Sequence, residues 1–148
     1  MFSDYVFRVM VHLASSPNKM LSARQIADIH DAKYNHMAKV CGWLVSEGYA
    51  VSLRGRGGGL KLASEPKDIN IGALVRKLEA DKPLVECFDP CGGKCRLRPA
   101  CGLSIALRQA QEAFYSCLDQ FDLESVIGLS PNMPMLLQRL NNEMPESS

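Results

Sequence analysis

Four cysteines lie within fifteen residues near the middle of the chain, and this cluster is the feature that most restricts how the chain can fold. They are Cys87, Cys91, Cys95 and Cys101. The turn-forming residues of the same segment are Pro90, Gly92, Gly93 and Pro99. Thiolates are soft ligands, and a backbone of this kind is free to wrap them around zinc or an iron–sulfur cluster. The segment is therefore predicted to be a metal-binding loop.

The bulk composition is that of a soluble globular protein. The chain has 148 residues, of which 47% are hydrophobic and 22% charged, with a net charge of +1. The apolar N-terminal stretch contains Arg8 and His12 and has no small-residue cleavage site, so we expect neither a signal peptide nor a membrane span. We therefore expect a cytoplasmic protein with no membrane partner. In that reducing compartment, six cysteines indicate metal ligation, reactivity or burial rather than disulfide bonds.

The first part of the chain shows three helical patterns followed by a hairpin. Apolar residues recur at helical spacing over residues 2–13 and 33–44. Between these stretches, residues 22–25 form a capping box that starts another helix. Residues 51–62 alternate apolar and polar on both sides of a glycine-rich loop, as the strands of a hairpin do. This order predicts a winged helix-turn-helix over residues 1–65, in a fold that is mainly α with a small β-hairpin.

Polar side chains of this module are candidates for contact with double-stranded DNA. They are Ser22, Tyr34, Asn35, His36, Lys39, Arg54 and Arg56. Asparagine can bond adenine and lysine can bond guanine or phosphate, while arginines among glycines can closely approach a narrow minor groove. The helix residues alone would fit an ordinary solvated face, and capping alone explains the serine. The basic hairpin beside them favours DNA, as does the excess of eight Lys/Arg over five Asp/Glu in residues 1–65.

The second part of the chain is predicted to contain four segments. We expect a linking helix in residues 66–80 and the cysteine loop in residues 81–101. Residues 102–127 are predicted to form a long amphipathic helix, because apolar residues recur there at spacings of three and four. Little chain remains to cover this stripe, so we expect the helix to pair with its copy in a homodimer. Residues 128–148 are expected to be a C-terminal tail.

The cysteine pattern alone leaves several kinds of chemistry open. A four-cysteine zinc site competes with an iron–sulfur cluster, although zinc fingers and ribbons usually use close cysteine pairs separated by a longer arm. A thiol switch is a third alternative, because basic residues beside the thiols favour the reactive thiolate. Cys41 and Cys117 lie on apolar faces of predicted helices, and for both we expect packing in a core.

Five segments of the chain match one group of bacterial regulators. They are residues 2–8, 35–39, 53–59, 84–87 and 99–107. On these segments the chain resembles the NsrR-type nitric-oxide-sensing repressors, in the winged-helix family that also includes the regulator IscR. The resemblance extends over residues 2–127. The glycine-rich wing is shared across the wider family, so the cysteine loop and Asp4 carry most of the specificity.

The resemblance implies an iron–sulfur cluster of the 4Fe-4S type at the interface of a homodimer. Its ligands by position are Cys87, Cys95 and Cys101 of one subunit and Asp4 of the other. IscR-like relatives instead use a histidine three residues after the last cysteine, where this chain has Ser104. The resemblance therefore favours the NsrR type of site over the IscR type.

This chain departs from the family pattern at a few positions. The interval between the first two ligand cysteines is longer than usual and contains Cys91, which could replace Cys87 or Asp4 as a ligand. Lys33 stands where a helix-capping serine is usual. Without the resemblance, the simplest explanation of Asp4 is an ion pair with Arg8, four residues further along the same helix.

The resemblance also implies a function. We expect the dimer to bind a palindromic operator with its recognition helices about 34 Å apart, and to release it when nitric oxide reacts with the cluster. A redox or electron-transfer protein is the alternative from another class, but such a protein would need no helix-turn-helix. No catalytic triad, carboxylate pair or cofactor loop indicates an enzyme.

Overall fold

The computed structural model describes residues 2–89, 91 and 93–143. Two loop residues singled out above, Pro90 and Gly92, lie outside the described residues, as do the last five residues of the predicted tail. The chain divides into two compact units. The first contains the residues up to Ile69 together with those from Asp122 onward, and the second is Asn70–Phe121.

Three helices form the body of the first unit: α1 (Phe2–Ala14), α2 (Ala23–Ile29) and α3 (Tyr34–Ser46). Their apolar stripes meet, because both α1 and α2 contact α3. The largest apolar side chains buried by these helices are Val6, Val9, Met10, Leu13, Ile26, Met37, Val40 and Leu44. The periodic apolar residues of the sequence thus become one core, as amphipathic helices require.

A two-stranded antiparallel sheet follows, with β1 (Ala50–Leu53) paired to β2 (Gly59–Leu62). The main chain of Leu60 also exchanges two hydrogen bonds with that of Leu21, at N···O distances of 3.0 and 2.9 Å. These bonds fix the hairpin to the segment that leads into α2. The prediction of a mainly helical winged helix-turn-helix with one small hairpin is confirmed.

The chain returns to the first unit in two helices, α6 (Leu123–Gly128) and α7 (Met133–Asn142). The side chain of Asp122 caps α6 by accepting from the backbone N–H of Ser125 at 2.7 Å. In α7, Leu137 and Asn141 lie one turn apart and are both buried. We expected a tail from residue 128 onward, and the structure differs here because α7 has a face that the first unit covers.

The second unit contains α4 (Ile71–Glu79) and α5 (Gly102–Leu118), with the cysteine segment between them. The Asp119 carboxylate receives two hydrogen bonds from Arg76, at 2.5 and 2.8 Å, which lower the pKa of that carboxyl. The single helix expected over residues 102–127 instead ends at Leu118, and α6 starts separately at the Asp122 cap. No residue of α5 is buried.

Within the described residues, no helix is both long and apolar enough to cross a bilayer.

Candidate DNA-binding surface and cysteine loop

Helix α3 presents all four of its candidate DNA-contacting residues to solvent. Tyr34, Asn35, His36 and Lys39 are exposed, whereas the opposite side of the helix is in the core. They occupy the first two turns, the part of a recognition helix that meets base edges in a major groove. Lys33 precedes them as the N-cap and makes no side-chain capping hydrogen bond. The four positions predicted from the sequence therefore form one continuous polar surface.

Ser22 belongs to a complete capping box at the start of α2. Its hydroxyl accepts from the backbone N–H of Gln25 at 3.1 Å, and its own N–H donates to the side-chain oxygen of Gln25 at 2.9 Å. This confirms the capping box that the sequence predicted. Helix capping thus accounts for the Ser22 hydroxyl, and contact with a phosphate remains a prediction.

Arg24 is a residue of this surface that sequence reasoning missed. Its guanidinium lies over the ring of Tyr34, with the Cζ atom 4.5 Å from the ring centroid, and Arg24 is exposed. The contact joins the first turn of α2 to the first turn of α3, and such cation–π pairs restrict a flexible arginine. The two residues are ten positions apart on different helices, so no periodic signal could have paired them.

The wing carries Arg54 and Arg56 on an exposed turn between β1 and β2. The turn requires glycine at Gly57, where φ is 75°, and at Gly59, where φ is 155°. A Cβ at Gly59 would lie 2.9 Å from the main-chain carbonyl of Leu21, so glycine also permits the close approach of β2 to that segment. Both arginines thus lie on a hairpin whose second strand is hydrogen-bonded to the segment before α2.

The cysteine segment has little regular structure, and its thiols are accessible to different degrees. Cys91 is exposed, whereas Cys87, Cys95 and Cys101 are half-buried. Cys87 lies in a short 3-10 turn, and Cys101 is the N-cap residue of α5. All six cysteines of the chain are free thiols.

Local contacts fold this segment back on itself. The carboxylate of Glu86 accepts from the backbone N–H of Lys94 at 2.8 Å. The guanidinium of Arg108 lies 4.4 Å from the ring centroid of Phe88, which attaches the start of the segment to α5. A side chain at Gly93 would overlap that of Glu86. Glycine is needed at this position for the segment to close on Glu86.

The donor chemistry of the loop fits an iron–sulfur cluster or a zinc ion, since four free cysteines occur in one short segment. Among the described residues, however, no three or more His, Cys, Asp or Glu side chains are gathered closely enough to hold a metal ion. Asp4 is exposed and forms an ion pair with Arg8 at 2.9 Å, the arrangement expected from their spacing on α1. The ligand set given by the resemblance therefore stays a prediction.

The remaining two cysteines differ from each other. Cys41 is buried in the core, and burial raises the pKa of its thiol to about 11, so the packing role expected for it fits its position. Cys117 is exposed in the single chain, contrary to the expectation of burial in a core. It lies one turn after the exposed Phe114 on α5, and so belongs to the apolar stripe that the chain itself leaves uncovered.

The chain is similar to known transcriptional regulators over nearly its whole length. The sequence profile of Rrf2, described as an iron-dependent transcriptional regulator, matches residues 2–128. The transcriptional regulator NsrR of Bacillus subtilis is 38% identical over 93% of this chain and 94% of its own length. The transcriptional repressor NsrR of Streptomyces coelicolor is 37% identical over 92% of this chain and 91% of its own length.

Solved structures with the same fold include CymR, the cysteine regulator of B. subtilis. It has a TM-score of 0.65 and 25% identity, over 88% of this chain and 95% of CymR. IscR of T. potens has the same TM-score with 22% identity, over 99% of this chain and 91% of IscR.

Proposed function

The chain belongs to the Rrf2 family of transcriptional regulators. We propose that it represses transcription as a homodimer whose cysteine loop holds an iron–sulfur cluster. Nitric oxide is the signal that ends repression. The observation that carries the DNA-binding part is the exposed polar face of α3, a helix that contacts β1 of the basic wing. A dimer presents two such faces, and a palindromic operator matches that two-fold symmetry.

The DNA-contacting residues divide by the part of the duplex they meet. Asn35, His36 and Lys39 face the base edges of a major groove, where direct reading of sequence takes place. Arg54 and Arg56 enter the adjacent minor groove from the wing. Arg24, held over Tyr34, adds a phosphate contact at the edge of the recognition helix. Phosphate contacts fix position without reading sequence, so we expect loss of Arg24 to weaken binding to all sequences alike.

Homodimer formation is supported by the bare apolar stripe of α5. Leu103 and Phe114, three helical turns apart, are 66% and 54% exposed. A second copy of the same helix is the surface whose apolar pattern matches this stripe. Replacing Phe114 with Asp is expected to shift the protein from dimer to monomer in sedimentation, whereas the same change at the exposed Gln120 should leave the dimer intact.

We assign the cluster to Cys87, Cys95 and Cys101, with Asp4 of the second subunit as the oxygen ligand and a 4Fe-4S cluster as the type. Bound there, the cluster would supply iron that reacts with nitric oxide. To act as a ligand, the Asp4 carboxylate must leave its ion pair with Arg8. An exposed ion pair of this kind is worth less than about 1 kcal/mol, so the exchange of partners costs little.

The test begins with protein isolated under nitrogen. We expect visible absorption together with iron and sulfide, and binding to DNA from the chain's own upstream region that a nitric oxide donor abolishes. Cys101→Ala should lose the visible spectrum and the response, whereas Cys41→Ala serves as a matched control and should keep both. Comparing Cys87→Ser with Cys91→Ser determines which of the two is a ligand.

Two results would contradict the proposal. A colourless protein with stoichiometric zinc would replace the cluster with a structural four-cysteine site. Equal affinity for the operator with and without the cluster would remove the loop from the control of DNA binding. In either case the surface formed by α3 and the wing would still account for the binding of DNA.

A further inference from the structure

A line of polar side chains crosses the first unit from α1 to α7. The Arg8 guanidinium lies 3.5 Å from Nδ1 of His30, and Nε2 of His30 lies 2.9 Å from Nε2 of His12. Nδ1 of His12 lies 2.6 Å from Oδ1 of Asn141. His12 and Asn141 are only 1% and 2% exposed. Buried polar groups without partners are costly, so the geometry of this line is tightly constrained.

The donor and acceptor of each hydrogen bond in the line are fixed by Asn141 at one end and Arg8 at the other. The amide nitrogen of Asn141 faces the main-chain oxygen of His12 at 3.3 Å, and a carbonyl oxygen only accepts, so Oδ1 of Asn141 must face the imidazole. His12 therefore carries its proton on Nδ1 and accepts at Nε2. His30 must then donate from Nε2 and accept at Nδ1, where the arginine, which only donates, is placed to meet it.

This arrangement allows one tautomer for each histidine and requires both rings to be neutral. A proton added to His12 would place two N–H groups against each other at the 2.9 Å contact. A proton added to Nδ1 of His30 would face the Arg8 cation. We call Arg8, His30, His12 and Asn141 the relay. Because each hydrogen bond in it fixes the next, a change at one end alters the preferred state of the other.

The two ends of the relay lie at different places in the first unit. His30 is the C-cap of α2, in the turn that leads to α3. Asn141 lies in the last turn of α7, where its amide nitrogen also donates to the hydroxyls of Ser15 and Ser16 at 2.9 and 2.7 Å. Lys19 donates to the main-chain oxygen of Asn141 at 3.1 Å. The last turn of α7 is thus attached to α1 and to the segment after it.

We propose that His12 and His30 are positioning residues, which couple the Asp4–Arg8 ion pair at the start of α1 to the attachment of α7. Asp4 holds Arg8 at 2.9 Å, and Arg8 in turn selects the tautomer of His30 that donates to His12. When Arg8 is withdrawn, His30 is free to adopt the other tautomer, which offers no proton to His12. The hydrogen bond from His12 to Asn141 then weakens, and α7 unfolds locally more often.

The consequence for sensing rests on the proposed function. If Asp4 of one subunit becomes a cluster ligand on the other, Arg8 loses the carboxylate that holds its guanidinium near His30, and it leaves His30 more often. Ligation of Asp4 then changes both the turn before the recognition helix and the attachment of α7. Besides its own members, the charged or titratable residues seen to face the relay are Asp4, Tyr5 and Lys19.

Amide hydrogen exchange of residues 133–142 tests the coupling. Arg8→Ala is expected to speed exchange there about fivefold, the change that corresponds to one lost hydrogen bond. The same substitution should have no further effect in a His30→Leu background. His30→Gln should restore the coupling, because its amide can donate to His12 and accept from Arg8. Arg76→Ala removes an ion-paired arginine of the second unit and serves as the matched control.

Nitrogen NMR of labelled histidines gives a second readout that needs no substitution. We expect His12 with its proton on Nδ1 and His30 with its proton on Nε2 at neutral pH, and the opposite tautomers would overturn the relay. Unchanged exchange in α7 after Arg8→Ala would also overturn it, as would equal behaviour of His30→Gln and His30→Leu. The exchange is measured on the full chain with and without a cluster, so a loop that binds no iron would refute the proposed function and leave the relay standing.

Discussion

Lowering the pH from 7 to 5 is expected to destabilise the first unit, because the relay requires neutral imidazoles. Burial is the main cause that lowers the pKa of His30 from 6.5 to about 4, and the neighbouring His12 and Arg8 further disfavour its protonated form. In the unfolded chain this ring takes up its proton near pH 6.5. Between those two values the unfolded state binds more protons than the folded state, so the free energy of unfolding falls as the pH falls. The contribution is complete above pH 6.5 and lost by about pH 4.

The size of the effect follows from the two pKa values of His30. A difference of about 2.5 pH units sets an upper limit of roughly 3.4 kcal/mol; solvent screening of the half-buried ring reduces it, so the loss between pH 7 and pH 5 is about 1–2 kcal/mol. Burial lowers the pKa of His12 as well, which adds to the loss in the same direction. The hydrogen bond from His12 to Asn141 opposes that shift but is the smaller cause.

Urea unfolding at pH 7 and pH 5 measures this loss, with His30→Gln as the control. The glutamine variant keeps every other titrating group and should lose about 1–2 kcal/mol less stability than the parent chain over this range. A proton NMR titration of the histidine rings gives the pKa of His30 directly. A pKa near 6.5, or an equal loss of stability in the glutamine variant, would refute the reasoning.

Four further predictions concern the wing, the middle of α3 and the cap of α6. Arg54→Ala is expected to weaken operator binding and to reduce the slope of log affinity against log salt concentration by about one. Lys67→Ala, outside the wing, should change neither quantity. An unchanged slope for Arg54→Ala would exclude a contact of Arg54 with a phosphate or a groove. Gly59→Ala should cost about 1–3 kcal/mol in thermal unfolding because of its φ of 155° and the main chain 2.9 Å from the new Cβ. Gly42→Ala, in a helix with nothing within 4 Å, should instead stabilise by up to about 1 kcal/mol. Asp122→Ala should cost about 1 kcal/mol through loss of the α6 cap, and a smaller change would show that packing alone starts this helix.

The winged helix-turn-helix could be predicted because its signals are local. Helical spacing in residues 2–13 and 33–44, the capping box and the alternation around the wing glycines each depend on a few neighbouring residues. The attachment of α7 could not be predicted in this way. His12 and Asn141 are 129 positions apart, and periodicity reveals which face of a helix is apolar but not what covers it.

The end of α5 was missed for a related reason. The apolar spacing continues past Leu118, so the pattern favoured one helix over residues 102–127. The structure ends α5 there, because the side chain of Asn70 donates to the main-chain oxygen of Asp119 at 2.8 Å and Asp122 starts a new helix as its cap. Both interactions use short polar side chains, whose competition with helical hydrogen bonds depends on tertiary partners.

The exposure of α5 bears on how the proposed dimer would be held together. Helices α1 and α3 each have buried residues, whereas α5 has none. Burying two large apolar side chains such as Leu103 and Phe114 in each of two subunits gives about 6–12 kcal/mol per dimer, and association costs about 4–15 kcal/mol. Pairing through α5 alone is therefore marginal, and a ligand shared between the cysteine loop of one subunit and Asp4 of the other would add directly to the stability of the dimer. Under the proposed function, loss of that ligand would weaken association and, through Arg8 and the relay, would alter the turn before the recognition helix.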